Sequence, residues 1–147
     1  MQSISTAFAL ALVEAIDPHE KTSSPLTLAF ENAAACCADN HMPMGELLRF
    51  IECARVRSGN EDLGLQAYQK AHPGHLGVLG YAIMSSATLG EAMTRMVEYH
   101  SMIGTGFCMF LENSASTLRM DGLPTSTKDM ALPRAFVDAV AAITLGL

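Results

Sequence analysis

Histidine and cysteine are the residue types in this chain with the most chemistry available to them. His72 and His75 flank Pro73-Gly74, and His100 stands further along. A metal site needs a cluster of ligands at close spacing, and no Asp or Glu stands near this pair with ligand spacing. The plainer reading is a loop pair and a helix-end histidine. Cys108 with His100 is a thiolate–imidazole pair in principle. A cysteine between Phe107 and Met109 reads more simply as a small core residue. Cys36, Cys37, Cys53 and Cys108 contain no C-x-x-C pair, so neither a disulfide framework nor a zinc site is expected. Gly74, Gly77 and Gly80 are spaced like a phosphate loop but lack the Gly-Lys-Ser/Thr ending and a preceding strand. Glu61-Asp62 sits where a helix starts, a usual place for acids. No serine has a nucleophile-elbow context. The expectation is a protein that is not an enzyme and uses no metal or cofactor, with a pocket in place of reaction chemistry.

The elements that must hold such a pocket are bounded by composition. The 147 residues suit a single domain spanning 1–147, and half of them are hydrophobic, which excludes disorder. Nine basic residues against fifteen acidic ones leave a net charge of −6, so DNA binding by this chain alone is not expected. Trp is absent, and ten methionines supply adaptable core volume. No apolar run approaches the ~18 residues of a membrane span. The start, Met1 to Thr6, lacks the positive charge of a secretory signal. A reducing cytoplasm is the expected compartment.

The first two-thirds read as helices. Phe8, Leu12, Ala15 and Ile16 share one face, and Asp17-Pro18 ends that segment. Ser24-Pro25 opens a second helix with the stripe Leu26, Phe30, Ala33 and Cys37, closed by Asp39-Asn40. Pro43 starts a third, with Met44, Leu47, Leu48, Ile51 and Ala54 inward and Gly59 as its stop. Asn60 caps a short helix carrying Leu63, Ala67 and Ala71. Gly77, Gly80 and Ala82 let another backbone approach, so 74–86 is expected as a tight interior helix. Thr88-Leu89-Gly90-Glu91 is a capping box, opening a helix with Leu89, Met93, Met96, Val97 and His100 that ends at Gly104.

The period then falls to two. Phe107 to Leu111 is expected as a strand buried on both faces, turned at Asn113-Ser114. The return strand, Thr117 to Asp121, is half-exposed. A polar linker, Pro124 to Asp129, leads to a last helix near Pro133 with Phe136, Val137, Val140 and Ala141 as its face. The fold class is therefore α+β: a mostly helical N-terminal two-thirds, then a β-hairpin and a C-terminal helix. A lone hairpin leaves open edges and wants partners. Together with the apolar last helix, it leads us to expect a homodimer.

Leu63-Gly64-Leu65, followed by the run from Gly74-His75-Leu76-Gly77 through Tyr81-Ala82-Ile83-Met84-Ser85-Ser86 to Thr88-Leu89-Gly90-Glu91-Ala92, carries a resemblance. So do the Met42-Pro43 helix start, the Ser58 to Asp62 connection and the helix end at Tyr99-His100. From about Ser3 onward the chain resembles the N-terminal effector region of AraC/XylS-type transcription regulators, the subgroup labelled arabinose-binding. The resemblance implies a small-molecule effector, a homodimer, and control of an attached DNA-binding domain. The paired helix-turn-helix motifs of such regulators are not in this sequence, so a fragment or a shortened relative is expected. The candidate effector contacts are Tyr81, Met84, Met96, His100, Phe107 and Met109, with Met93 and Met102 as further apolar lining. The competing reading is an interaction module with no small-molecule ligand.

Overall fold

The computed structural model describes residues 2–16, 25–35, 40–70, 72–112, 117–122 and 132–146. Asp17-Pro18, Ser24, Cys36, Cys37, Asp39, Ala71, Asn113-Ser114 and the Pro124 to Asp129 linker lie outside them, as does the side chain of Leu26. The fold is α+β, with a helical bulk, two small antiparallel strand pairs and a C-terminal helix.

Strand β1 (Ser3–Ser5) runs into helix α1 (Thr6–Ile16). Apolar residues lie almost all round α1, which is why it forms the spine of the core; Phe8, Leu12, Ala15 and Ile16 are buried as expected. Helix α2 (Pro25–Ala35) buries Phe30 and Ala34, while Ala33 faces solvent, one position off the expected stripe. Phe30 meets Phe50 with ring centroids 5.2 Å apart. Strand β2 (His41–Pro43) then pairs antiparallel with β1 through Ser3↔Pro43, Ile4↔Met42 and Ser5↔His41. Neither strand was expected, because three residues are too few to show a period of two. On its other side β1 meets the segment 103–105: Ser5 N donates to Ile103 O at 2.6 Å and Thr105 N to Ser3 O at 2.8 Å.

Helix α3 (Met44–Ser58) buries Met44, Leu47, Leu48, Phe50 and Ile51. Gly59 ends it in the left-handed conformation, φ 63°, donating to Arg55 O at 3.0 Å. Asn60 Oδ1 accepts from Asp62 N at 3.0 Å, and a 3-10 helix, Leu63–Lys70, follows where an ordinary helical segment was expected. This segment lies along the last helix, α6 (Arg134–Gly146), at close range. A methyl group at Gly64 would overlap the carbonyl of Ala135.

The run 74–86 is not one interior helix. A short 3-10 turn, Pro73–Leu76, precedes α4 (Val78–Met84), of which only Leu79 and Gly80 are buried. The small residues serve one close approach: a methyl group at Gly80 would overlap the Pro73 carbonyl. Gly77 approaches nothing; its φ of 58° with ψ of −137° is what calls for glycine there.

Helix α5 (Leu89–Tyr99) starts at the capping box. Thr88 Oγ1 accepts from Glu91 N at 3.2 Å, and Glu91 Oε2 reaches back to accept from Ala87 N at 2.9 Å. A 3-10 turn, His100–Met102, closes the helix. Strands β3 (Phe107–Glu112) and β4 (Thr117–Gly122) form the expected hairpin, in register from Phe107↔Gly122 to Glu112↔Thr117. β3 is buried on one face only. Phe107 and Met109 point into the core, while Phe110 is 41% exposed, with the Arg119 guanidinium 5.0 Å over its ring. A two-stranded ribbon is covered on the side where helices lie, which leaves the other side open.

α6 is more deeply set than expected. Ala135, Phe136, Ala139, Val140, Ala142 and Ile143 are buried, but Ala141 faces solvent and Val137 is half-buried. Its small residues let α6 sit against both the 63–70 helix and α3, so its apolar face is covered within the chain itself. One hydrophobic cluster joins α1, α3, the 63–70 helix, β3 and α6. No helix among the described residues is long and apolar enough to cross a membrane.

Candidate functional site

The six candidate effector contacts fall into two groups. Met96 on α5 and Phe107 and Met109 on β3 are buried in the core cluster. His100 joins them from the turn between α5 and β3. Its ring centroid lies 6.0 Å from that of Phe107, and Phe107 in turn stands edge-on to Phe136 at 6.0 Å. His100 Nδ1 lies 2.6 Å from Val97 O. A carbonyl only accepts, so Nδ1 carries the hydrogen and Nε2 is the acceptor of the neutral ring. The backbone thus fixes the tautomer of a ring that lies beside Phe107.

Tyr81 and Met84 are elsewhere. They are 63% and 58% exposed on the outer side of α4, in line with Val78 at 74%. The spacing 78, 81, 84 is one helical stripe, and the helix buries the opposite side through Leu79 and Gly80. Leu89, at the start of α5, is also exposed, as is Met102; Met93 is half-buried.

Arg95 ties these two regions together and was not singled out from sequence. Its Nη1 donates to Ala82 O at 2.5 Å and to Ser85 Oγ at 3.0 Å. Its Nη2 donates to Glu91 Oε1 at 2.6 Å. The end of α4 is therefore clamped to the first turns of α5 by a guanidinium that also secures the capping glutamate. The Glu91–Arg95 spacing of four was the available signal. Thr6 Oγ1, at the β1–α1 junction, is buried with no hydrogen-bond partner among the described residues.

The histidines at the Pro-Gly turn serve it structurally. His72 Nδ1 accepts from Gly74 N at 3.0 Å, and the His72 and His75 rings lie 5.9 Å apart. Burial and the neighbouring His72 hold the His75 pKa below the ordinary histidine value, against a smaller upward pull from Glu14. No cluster of three or more metal-ligating side chains occurs among the described residues. Cys108 is a half-buried free thiol on the hairpin's outer face.

No curated relative matches the chain. Residues 31–147, well over half of the sequence, match the family described as the N-terminal arabinose-binding domain of AraC transcription regulators. That span holds α3, the Gly77–Gly80 turn, the capping box, the hairpin and α6. With the match covering well over half of its residues, the chain belongs to the arabinose-binding domain family of AraC regulators.

Proposed function

We propose that this chain is the effector-sensing and dimerising domain of a transcription regulator, and that it governs a DNA-binding domain attached to it in the whole protein. The family match over residues 31–147 is the observation that carries this reading. The effector is a small, partly apolar molecule. It is held by Met96, Phe107 and Met109, with His100 Nε2 as its hydrogen-bond acceptor. Methionines yield to a guest more readily than branched side chains, which suits a site built from buried side chains. Binding acts by population shift: an effector that prefers one arrangement of α5 and β3 changes how the attached domain is presented. Cytoplasmic location follows from this role.

A thermal-shift screen of metabolites on the isolated chain tests the proposal. At least one compound should raise the melting temperature, and His100→Gln should weaken its binding about tenfold, the loss of roughly one hydrogen bond. A compound that binds the variant equally well places its site elsewhere; a screen of broad chemistry with no stabilising compound defeats the sensor reading.

The exposed stripe of Val78, Tyr81 and Met84 favours a second reading, in which α4 docks a protein partner and no small molecule is needed. Tyr81 and Met84 then contact that partner in place of an effector. This version expects a DNA-binding domain supplied in trans to bind the chain directly, and Tyr81→Glu to remove that binding.

A further inference from the structure

The outer edge of β4 has no backbone partner among the described residues: β3 occupies one side, and no backbone hydrogen bond to another described residue leaves the other. The strand Thr117-Leu118-Arg119-Met120-Asp121-Gly122 has no proline or bulge to blunt that edge. Its two faces differ. Leu118 and Met120 pack partly against the core, while Thr117, Arg119 and Asp121 face solvent. Arg119 is already held in an ionic cluster, with Nη1 at 2.5 Å from Glu112 Oε1 and Nε at 3.1 Å from Asp121 Oδ2.

An antiparallel partner must place like faces together, since directly opposed residues share a face. For two copies of β4 around a two-fold axis, this restricts the axis to pass through a residue rather than between two. An axis at Arg119 opposes two arginines, and one at Asp121 opposes two aspartates. An axis at Leu118 leaves both charges without an opposite partner. An axis at Met120 opposes Met120 with its own copy, Leu118 with Gly122, and Arg119 with Asp121 twice over. We propose that two copies of this chain join through the outer edge of β4 in this register, making a four-stranded sheet β3–β4–β4–β3. The proposal rests on the dimerisation reading above and gives it a surface. Glu112, Arg119 and Asp121 of each copy form one charge network on the outer face, with the apolar pairs beneath. The contact is isologous and closes on itself. It also converts a two-stranded ribbon into a sheet of ordinary size.

Sedimentation velocity on the whole chain, from one to a hundred micromolar, tests this with two charge reversals. Arg119→Glu and Asp121→Arg each set two like-charge contacts into a homodimer. Each should weaken association roughly tenfold or more. An equimolar mixture restores both contacts with opposite charges and should form the heterodimer. A wild-type dimer whose single variants associate unchanged, or whose variants fail to join when mixed, overturns the edge while leaving dimerisation intact. A wild-type chain that stays monomeric throughout overturns both. Met120→Cys, with the four native cysteines changed to serine, supplies a measurement independent of charge. Opposed residues in an antiparallel pair lie about 4.5–5.5 Å apart between Cα atoms, within reach of a disulfide. Mild oxidation should give a covalent dimer; a chain that dimerises without cross-linking at this position defeats the register.

Discussion

Gly80→Val is expected to destabilise the chain by about 3 kcal/mol or more, the upper end for overpacking. The obstacle is the carbonyl of Pro73, which is backbone and has no rotamer to yield. Gly77→Ala should cost about 1–3 kcal/mol for a different reason, the strain of its positive φ, and urea titration of both variants measures the two effects separately. Thr88→Ala should cost about 1 kcal/mol through loss of the cap on Glu91. His75 gives a pH signature. Its folded pKa lies below that of the unfolded chain, so the folded state takes up a proton less readily. This contribution to stability is complete above the unfolded value of about 6.5 and is lost as pH falls through the folded value. Comparing urea midpoints at pH 7.5 and 5.5, His75→Gln should flatten part of the decline seen in the wild type. At this scale the sequence was informative where a side chain answers its own neighbours. The Thr88–Glu91 box could be read from four letters. Arg95 could not be assigned its clamp, because Ala82 and Ser85 reach it only through the turn between α4 and α5.

Among the elements, the buried faces depended on neighbours that periodicity does not name. The apolar face of α6 suggests a Val140 offered to another molecule, but Val140 is buried against elements of its own chain. Val140→Glu should therefore unfold the chain, at a cost of about 4 kcal/mol or more for an unpaired buried charge, whatever its effect on association. Circular dichroism melting reads this directly; a folded, monomeric variant would return α6 to the surface. The hairpin was legible because six-residue strands show their alternation. β1 and β2 were not, since three residues carry too little pattern and their pairing joins Ile4 to Met42 across α1 and α2. The small residues of α4 suggest an interior position. Gly80 does touch backbone, but one close contact needs only one side of a helix, and Val78, Tyr81 and Met84 stay outside.

For the molecule as a whole, charge makes a prediction that the family does not. With nine basic residues against fifteen acidic, the chain by itself should leave duplex DNA unshifted in a gel at low salt, where any phosphate attraction is strongest. Specific retardation by the isolated chain would contradict this. The placing of the candidate effector contacts was the least legible part, because Tyr81 and Met84 stand in the same run of small residues as Gly80 yet are exposed, while Met96, Phe107 and Met109 are buried. Sequence order brought all six close, and helix rotation separated them. The strand β1, held by β2 on one side and by residues 103–105 on the other, also has a consequence for biosynthesis. A ribosome working at about 5–20 residues per second delivers β2 well before Ile103, so β1 spends seconds with one edge bare. Slow codons between Met44 and Ile103 lengthen that interval, and nascent chains on one polysome then carry the same naked strand side by side. Expression in the cold, or with a chaperone that grips extended segments, is the remedy this topology recommends.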